Sequence, residues 1–123
     1  MKIILVVEDE HLMQQLIQTN LERAGYGVLQ AMTGYEGLAS VETQRPDLIL
    51  LDMTLPDMTT VEFAPLLKRN PSNRSIPVFI LSPPPEESEV YQGGWDGIAA
   101  YLHKPFDPIE LLSLVKRIFE ETV

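Results

Sequence analysis

The sequence predicts an α/β fold: a doubly wound parallel sheet of five strands with helices on both faces, within one domain of 123 residues. Three observations predict it. Short, continuous apolar runs alternate five times with amphipathic stretches, the pattern of strands buried on both faces and joined by crossover helices. No repeat, low-complexity tract or internal linker breaks that alternation. Finally, the polar residues that interrupt the strand pattern, Glu8, Asp9, Asp52, Ser82 and Lys104, all fall at the carboxyl ends of apolar runs, the edge at which open α/β sheets bind ligands.

Each element has its own signal. Ile3–Val7 is the first strand, five apolar residues that stop at Glu8. A helix is expected from about Glu10 to Ala24, with Leu12, Leu16, Ile17 and Leu21 at helical spacing and Gly25 as its stop. A short strand follows at about Tyr26–Ala31. Thr33 and Glu36 have capping-box spacing and open a second helix, which ends before Pro46. Leu48–Asp52 is the third strand, followed by a loop in which Pro56-Asp57 signals a turn. Thr59 and Glu62 repeat the capping-box spacing for a third helix, which stops near Asn70-Pro71. Pro77–Leu81 is the fourth strand. After Ser82 come Pro83, Pro84 and Pro85, then a fourth helix from about Glu86 to Gly93-Gly94. Ala99–Leu102 is the fifth strand. Asp107-Pro108-Ile109-Glu110 gives the last helix an N-cap, a proline at its first position and an early acid.

Composition narrows the function classes. Nine Lys plus Arg against 18 Asp plus Glu give a net charge of −9, which argues against direct nucleic-acid binding. The same balance favours cations and basic partner surfaces. With no cysteine there is no disulfide, thiolate metal site or cysteine nucleophile. The opening MKIILVVEDE turns acidic after five apolar residues, too short for a secretory signal, and no apolar run reaches membrane-spanning length. No membrane insertion and a cytoplasmic location are expected. The chain stops where its last helix is due, so a stand-alone protein and a piece of a longer one would look alike.

Neighbouring parallel strands that end in Glu8-Asp9 and Asp52 would gather three carboxylates at one edge of the sheet. Like charges that close repel, and a divalent metal or a raised pKa relieves them. Singly, Glu8 and Asp9 are ordinary helix-start acids and Asp52 an ordinary strand end. Joined by Lys104 at the end of the fifth strand, they read as a metal and phosphoryl site. Carboxylates suit Mg²⁺. Asp52 is the candidate nucleophile, since a carboxylate can attack phosphorus to form an acyl phosphate. Lys104 would neutralise developing charge, and the Ser82 hydroxyl would donate to a phosphoryl oxygen. His11 and His103 are expected to face solvent, and Met13, Met32, Met53 and Met58 to pack. Tyr91 and Trp95 are read as half-buried packing or as partner contacts.

The ordered set Val6-Val7-Glu8-Asp9-Glu10, Asp52 with Leu55-Pro56-Asp57, Ser82, and Tyr101-Leu102-His103-Lys104-Pro105-Phe106 resembles the receiver domain of two-component response regulators. The resemblance covers essentially the whole chain and implies a flavodoxin-like sheet with strand order 2-1-3-4-5. It implies that Asp52 accepts phosphate from a sensor histidine kinase or a histidine phosphotransfer protein. Mg²⁺ would be held by Asp9 and Asp52, by Glu8 through water, and by the backbone carbonyl of Thr54. Ser82 and Tyr101 become a switch pair that signals to a downstream effector protein or domain, Lys104 becomes the site cation, and the Lys104-Pro105 peptide is expected to be cis. Such a protein is no enzyme in the ordinary sense: it catalyses only its own phosphorylation and dephosphorylation.

Some positions depart from that pattern. Thr60 stands where the family usually has Gly, and is strained if the position needs positive φ. Pro83 follows the switch hydroxyl, removes a backbone donor and stiffens the loop. These two departures motivate an alternative, a degenerate receiver that docks partners without being phosphorylated. Thr54 and Pro84 offer no acid or amide to position a hydrolytic water, so a long-lived phosphoryl group is expected. Ala99 and Ala100 replace the paired acids of one subfamily of transcription-factor receivers, which disfavours that subfamily's dimer. A phosphohydrolase would want an acid at Thr54, and a flavin carrier would not place Glu8-Asp9-Glu10 after its first strand.

Overall fold

The computed structural model describes residues 1–83 and 98–121. In chain order these form β1 (Ile3–Val7), α1 (His11–Arg23), β2 (Gly27–Ala31), α2 (Gly34–Gln44), β3 (Leu48–Asp52), α3 (Thr60–Lys68), a 3₁₀ turn (Pro71–Asn73), β4 (Val78–Ser82), β5 (Ile98–His103) and α4 (Pro108–Glu121). The helix expected over 86–94, with Gly93-Gly94, Pro84, Pro85, Tyr91 and Trp95, lies outside the described residues.

All five strands are parallel, in the order β2-β1-β3-β4-β5. Strands buried on both faces split their side chains between two cores. Leu5, Val7, Ile49 and Leu51 face Val41 of α2 and Phe63 and Leu67 of α3. Ile4, Val6, Leu48 and Leu50 face Ile17 and Leu21 of α1 and Leu111 and Val115 of α4. The chain leaves β1 toward β2 on one side and continues with β3 on the other. The carboxyl ends of β1 and β3 therefore flank the switch point of the sheet.

Several local expectations hold with small shifts. Thr59 makes the full capping box with Glu62. Thr33 accepts from the Glu36 amide, but the Glu36 carboxylate reaches back to Met32 N instead of closing the box on Thr33. Gly25, at φ 97°, turns the chain out of α1. The Lys104-Pro105 peptide is cis.

Two expectations are corrected. The apolar stripe of α1 is rotated: Leu12 is 73% exposed and Leu16 43%, while Gln14, Ile17 and Leu21 face the sheet. Gln14 is accommodated in a core position because its amide nitrogen meets the carbonyls of Val6 (2.8 Å), Ala31 (2.9 Å) and Glu8 (3.3 Å). Thr60 is not strained either. It is the first residue of α3, it is not among the residues with positive φ, and the one described non-glycine that is, Arg45 at 52°, closes α2.

Candidate functional site

The site grows from strand ends. β1 stops at Val7, and the next amide, Glu8 N, donates to Ala31 O at the end of β2 (3.0 Å). That bond holds the start of the β1–α1 turn against the sheet and turns the Glu8 side chain inward. Its carboxylate is fully buried, with Oε2 accepting from the Glu10 amide (3.1 Å) and Oε1 from Lys104 Nζ (2.7 Å). Asp52, the last residue of β3, is 2% exposed. Its Oδ1 accepts from Lys104 Nζ, the Thr54 amide and Thr54 Oγ1, each at 3.3 Å. Asp9 stays exposed at the rim. One oxygen from each of Glu8, Asp9 and Asp52 can lie within 4.8 Å of the others. Lys104 reaches this pair of buried acids from the residue after β5, and its amide donates to Ser82 O at the end of β4 (2.8 Å).

One ammonium among three carboxylates leaves a surplus of negative charge, and the titration of the groups reflects it. Burial pushes the Glu8 carboxyl up to about 7, with Asp52 adding to the rise and Lys104 and the Glu10 amide opposing it. Burial alone would lower Lys104, but the bond to Glu8 and the charge of Asp52 raise it. Both oxygens of Glu8 are bonded, so its rise reflects burial first and the neighbouring Asp52 second. Three converging carboxylates with room at the exposed Asp9 suit a hard divalent ion with oxygen ligands and retained waters. The donor chemistry fits Mg²⁺. Thr54, exposed beside Asp52, is placed so that its backbone borders the same pocket.

The neighbouring strand pair carries the remaining predicted residues. Ser82 ends β4, is 2% exposed, and lies opposite His103 in the β4–β5 register. Tyr101 is 44% exposed on β5. Pro83 is half-buried and supplies no amide proton. His103 is exposed as expected, and in addition its Nδ1 lies 2.7 Å from Ser82 Oγ and 3.2 Å from Pro83 O. His11 is exposed as expected.

Sequence reasoning also missed the contacts of Asp57, which it used as a turn signal and as part of the motif after Asp52. Its carboxylate accepts from the amides of Gly34 (2.8 Å) and Tyr35 (3.0 Å), so the loop after β3 is tied to the N-terminus of α2. The slight desolvation of this exposed carboxyl would raise it, but those amides hold it below the usual carboxylate range. The same docking presses Met58 against Gly34, where a Cβ would meet the methionine side chain at 2.5 Å. A glycine at the first position of α2 was the available signal.

Comparison with known proteins places this geometry. Residues 4–116 match the response regulator receiver domain family. The chain is 38% identical over 121 residues to the phosphate regulon transcriptional regulatory protein PhoB of Pseudomonas aeruginosa, covering 98% of this chain and 53% of that protein. It is 39% identical over 121 residues to the alkaline phosphatase synthesis transcriptional regulatory protein PhoP of Bacillus subtilis, covering 98% and 50%. The chain thus spans about half the length of these two relatives. The solved structure of the chemotaxis response regulator CheY4 of Vibrio cholerae superposes with a TM-score of 0.87 at 32% identity, covering 96% of this chain and 98% of that one. Because two of these relatives are named as transcriptional regulators, the expectation of no nucleic-acid contact gains no support from them. Among the described residues no helix is long and apolar enough to cross a membrane.

Proposed function

The chain belongs to the response regulator receiver family, and on that premise we propose that it is a phosphoacceptor switch whose acceptor is Asp52. The observation that carries the reading is the buried Asp52 carboxylate held by Lys104 beside two further acids. An oxygen of Asp52 attacks the phosphorus of a phosphohistidine on a sensor histidine kinase or phosphotransfer protein. The P–N bond breaks as the P–O bond forms, and the departing imidazole nitrogen takes a proton from solvent. Lys104 fixes the orientation of Asp52 and stays within reach of charge that develops on the phosphoryl oxygens. Glu8 shares the same ammonium and keeps it in place.

Glu8, Asp9, Asp52 and the Thr54 carbonyl are the residues that would hold Mg²⁺, which when bound neutralises the carboxylates and the phosphoryl oxygens they face. Ser82 donates to a phosphoryl oxygen and Tyr101, now exposed, follows it inward, which carries the signal to an effector protein or domain. The chain turns over no metabolite and changes only its own phosphorylation. We assign no nucleic-acid contact to it, a reading supported by the net charge of −9.

Incubation with acetyl phosphate and Mg²⁺, followed by intact-protein mass spectrometry, is expected to add one phosphoryl group. The addition disappears in Asp52→Ala or with a chelator present. Absence of any incorporation in the unaltered chain favours the second reading, a receiver that docks partners without phosphorylation. Pro83, which lacks a backbone donor beside Ser82, is the observation that keeps that reading alive.

A further inference from the structure

We propose that His103 is a positioning residue for Ser82: it grips the hydroxyl oxygen from β5 and so aims the hydroxyl proton at the phosphoryl position on Asp52. The inference rests on the phosphoacceptor reading above. Ser82 and His103 are register partners on adjacent parallel strands, and the imidazole Nδ1 meets two oxygens, Ser82 Oγ at 2.7 Å and Pro83 O at 3.2 Å.

The carbonyl fixes the roles. A carbonyl oxygen can only accept, so with a lone pair on Nδ1 the ring would face Pro83 O with two repelling electron pairs. The tautomer that satisfies both contacts carries its proton on Nδ1 and shares it between the two oxygens. Ser82 Oγ is then the acceptor of that bond, and its own proton is not spent on the histidine. The opposite arrangement, in which Ser82 donates to the ring, would consume the one proton the hydroxyl has to give.

Two features make this grip matter in this chain. Pro83 has no amide proton, so the end of β4 has lost the backbone donor next to Ser82 and depends on the hydroxyl. Ser82 is also nearly inaccessible to water, so a misdirected hydroxyl would not be corrected by solvent. His103 compensates at the one place where the proline left a gap. It touches no reacting atom; it acts through Ser82.

Beryllofluoride with Mg²⁺, titrated against the full chain and followed by fluorine NMR, is the test. His103→Leu is expected to bind this phosphoryl mimic about tenfold more weakly, the loss of one oriented hydrogen bond to an anion. Its melting without beryllofluoride falls only slightly, the loss of one neutral hydrogen bond from an exposed residue, and the chain stays folded for the titration. His103→Asn, whose amide N–H can stand where Nδ1–H stood, recovers binding to within about threefold. The proposal is overturned if the leucine variant binds as well as or better than the unaltered chain, or if asparagine fails to rescue. If the unaltered chain takes no beryllofluoride, or Asp52→Ala takes it equally, the phosphoacceptor reading fails and this inference with it.

Discussion

At the ends of β1 and β3 the chain concentrates charge, with Glu8 and Asp52 buried around one ammonium and Asp9 at the rim. On the adjacent strand pair, toward the ends of β4 and β5, it places a hydroxyl, a proline and two rings: Ser82, Pro83, His103 and Tyr101. The first region holds energy. It keeps like charges close together without enough counter-charge, so an arriving cation or phosphoryl group has something to relieve. The second region holds orientation, in neutral hydrogen bonds at the end of β4 whose donor and acceptor roles the Pro83 carbonyl fixes. One edge of a sheet can thus divide its work, with binding stored in one strand pair and reporting placed in the next.

Removing the ammonium breaks that contrast most strongly. Lys104→Gln leaves Glu8 and Asp52 buried together without their shared cation. Phosphoryl transfer from acetyl phosphate is expected to slow by about 100-fold, the scale for deleting one preorganised charged donor. Initial rates by mass spectrometry at saturating Mg²⁺ measure it. A loss under about fivefold would mean that the pocket does not depend on Lys104, and the contrast between the two regions would collapse.

A smaller effect is legible in pH. Glu8 titrates at about 7 in the folded chain against an ordinary 4.5, so the native state binds the proton more tightly than the unfolded chain does. The stabilisation from that proton is full below about pH 4.5 and is lost as pH rises through 7, on the order of 3 kcal/mol for metal-free protein. Urea titrations at pH 5 and pH 8 are expected to show this fall, and Glu8→Gln to flatten it. Mg²⁺ added at pH 8 restores stability, because a cation favours the charged carboxylate. Equal slopes in the parent and Glu8→Gln would place the cost elsewhere.

These charged residues were the legible part of the site. A carboxylate at the end of one apolar run is ordinary, but Glu8, Asp9 and Asp52 at the ends of two runs, joined by Lys104 at the end of a third, stand out as a set. The parallel sheet and the element boundaries followed from the same runs, with shifts of one or two residues at ends that no cap defines, whereas the strand order came from the family resemblance. The pairing of Ser82 with His103 was not legible, because it depends on the β4–β5 register, which an irregularity between Val78 and Phe79 shifts. Strand alternation gave the exposure of His103 correctly and still missed which edge of its ring reaches inward. Gln14 was hidden for a related reason: its core position brings it to the carbonyls of Val6 on β1, Ala31 on β2 and Glu8 just past β1, which the helical stripe does not show.

The loop between the two regions gives a milder test. Asp57 ties the segment carrying Thr54 to the first amides of α2. Asp57→Ala is expected to cost about 1 kcal/mol, as for other lost N-terminal acceptors. If that loop also places the Thr54 carbonyl, Mg²⁺ affinity at the charged pocket falls with it, while the Ser82–His103 pairing is untouched. Calorimetric Mg²⁺ titration separates the two outcomes, and unchanged affinity would mean that Asp57 only caps a helix.

Thr60 supplies the smallest effect and the one whose sign decides most about this loop. A strained threonine would be relieved by glycine, which enters left-handed conformations without penalty. Thr60 instead opens α3 with ordinary helical geometry, behind the Thr59–Glu62 capping box, and its side chain is buried. Glycine there gains no relief, loosens the unfolded chain and removes packed atoms. Thr60→Gly is therefore expected to lower stability by about 0.5–1 kcal/mol in chemical denaturation. An increase would mean that the loop after Asp52 stores backbone strain, and the charged pocket would then owe part of its poise to conformation as well as to charge.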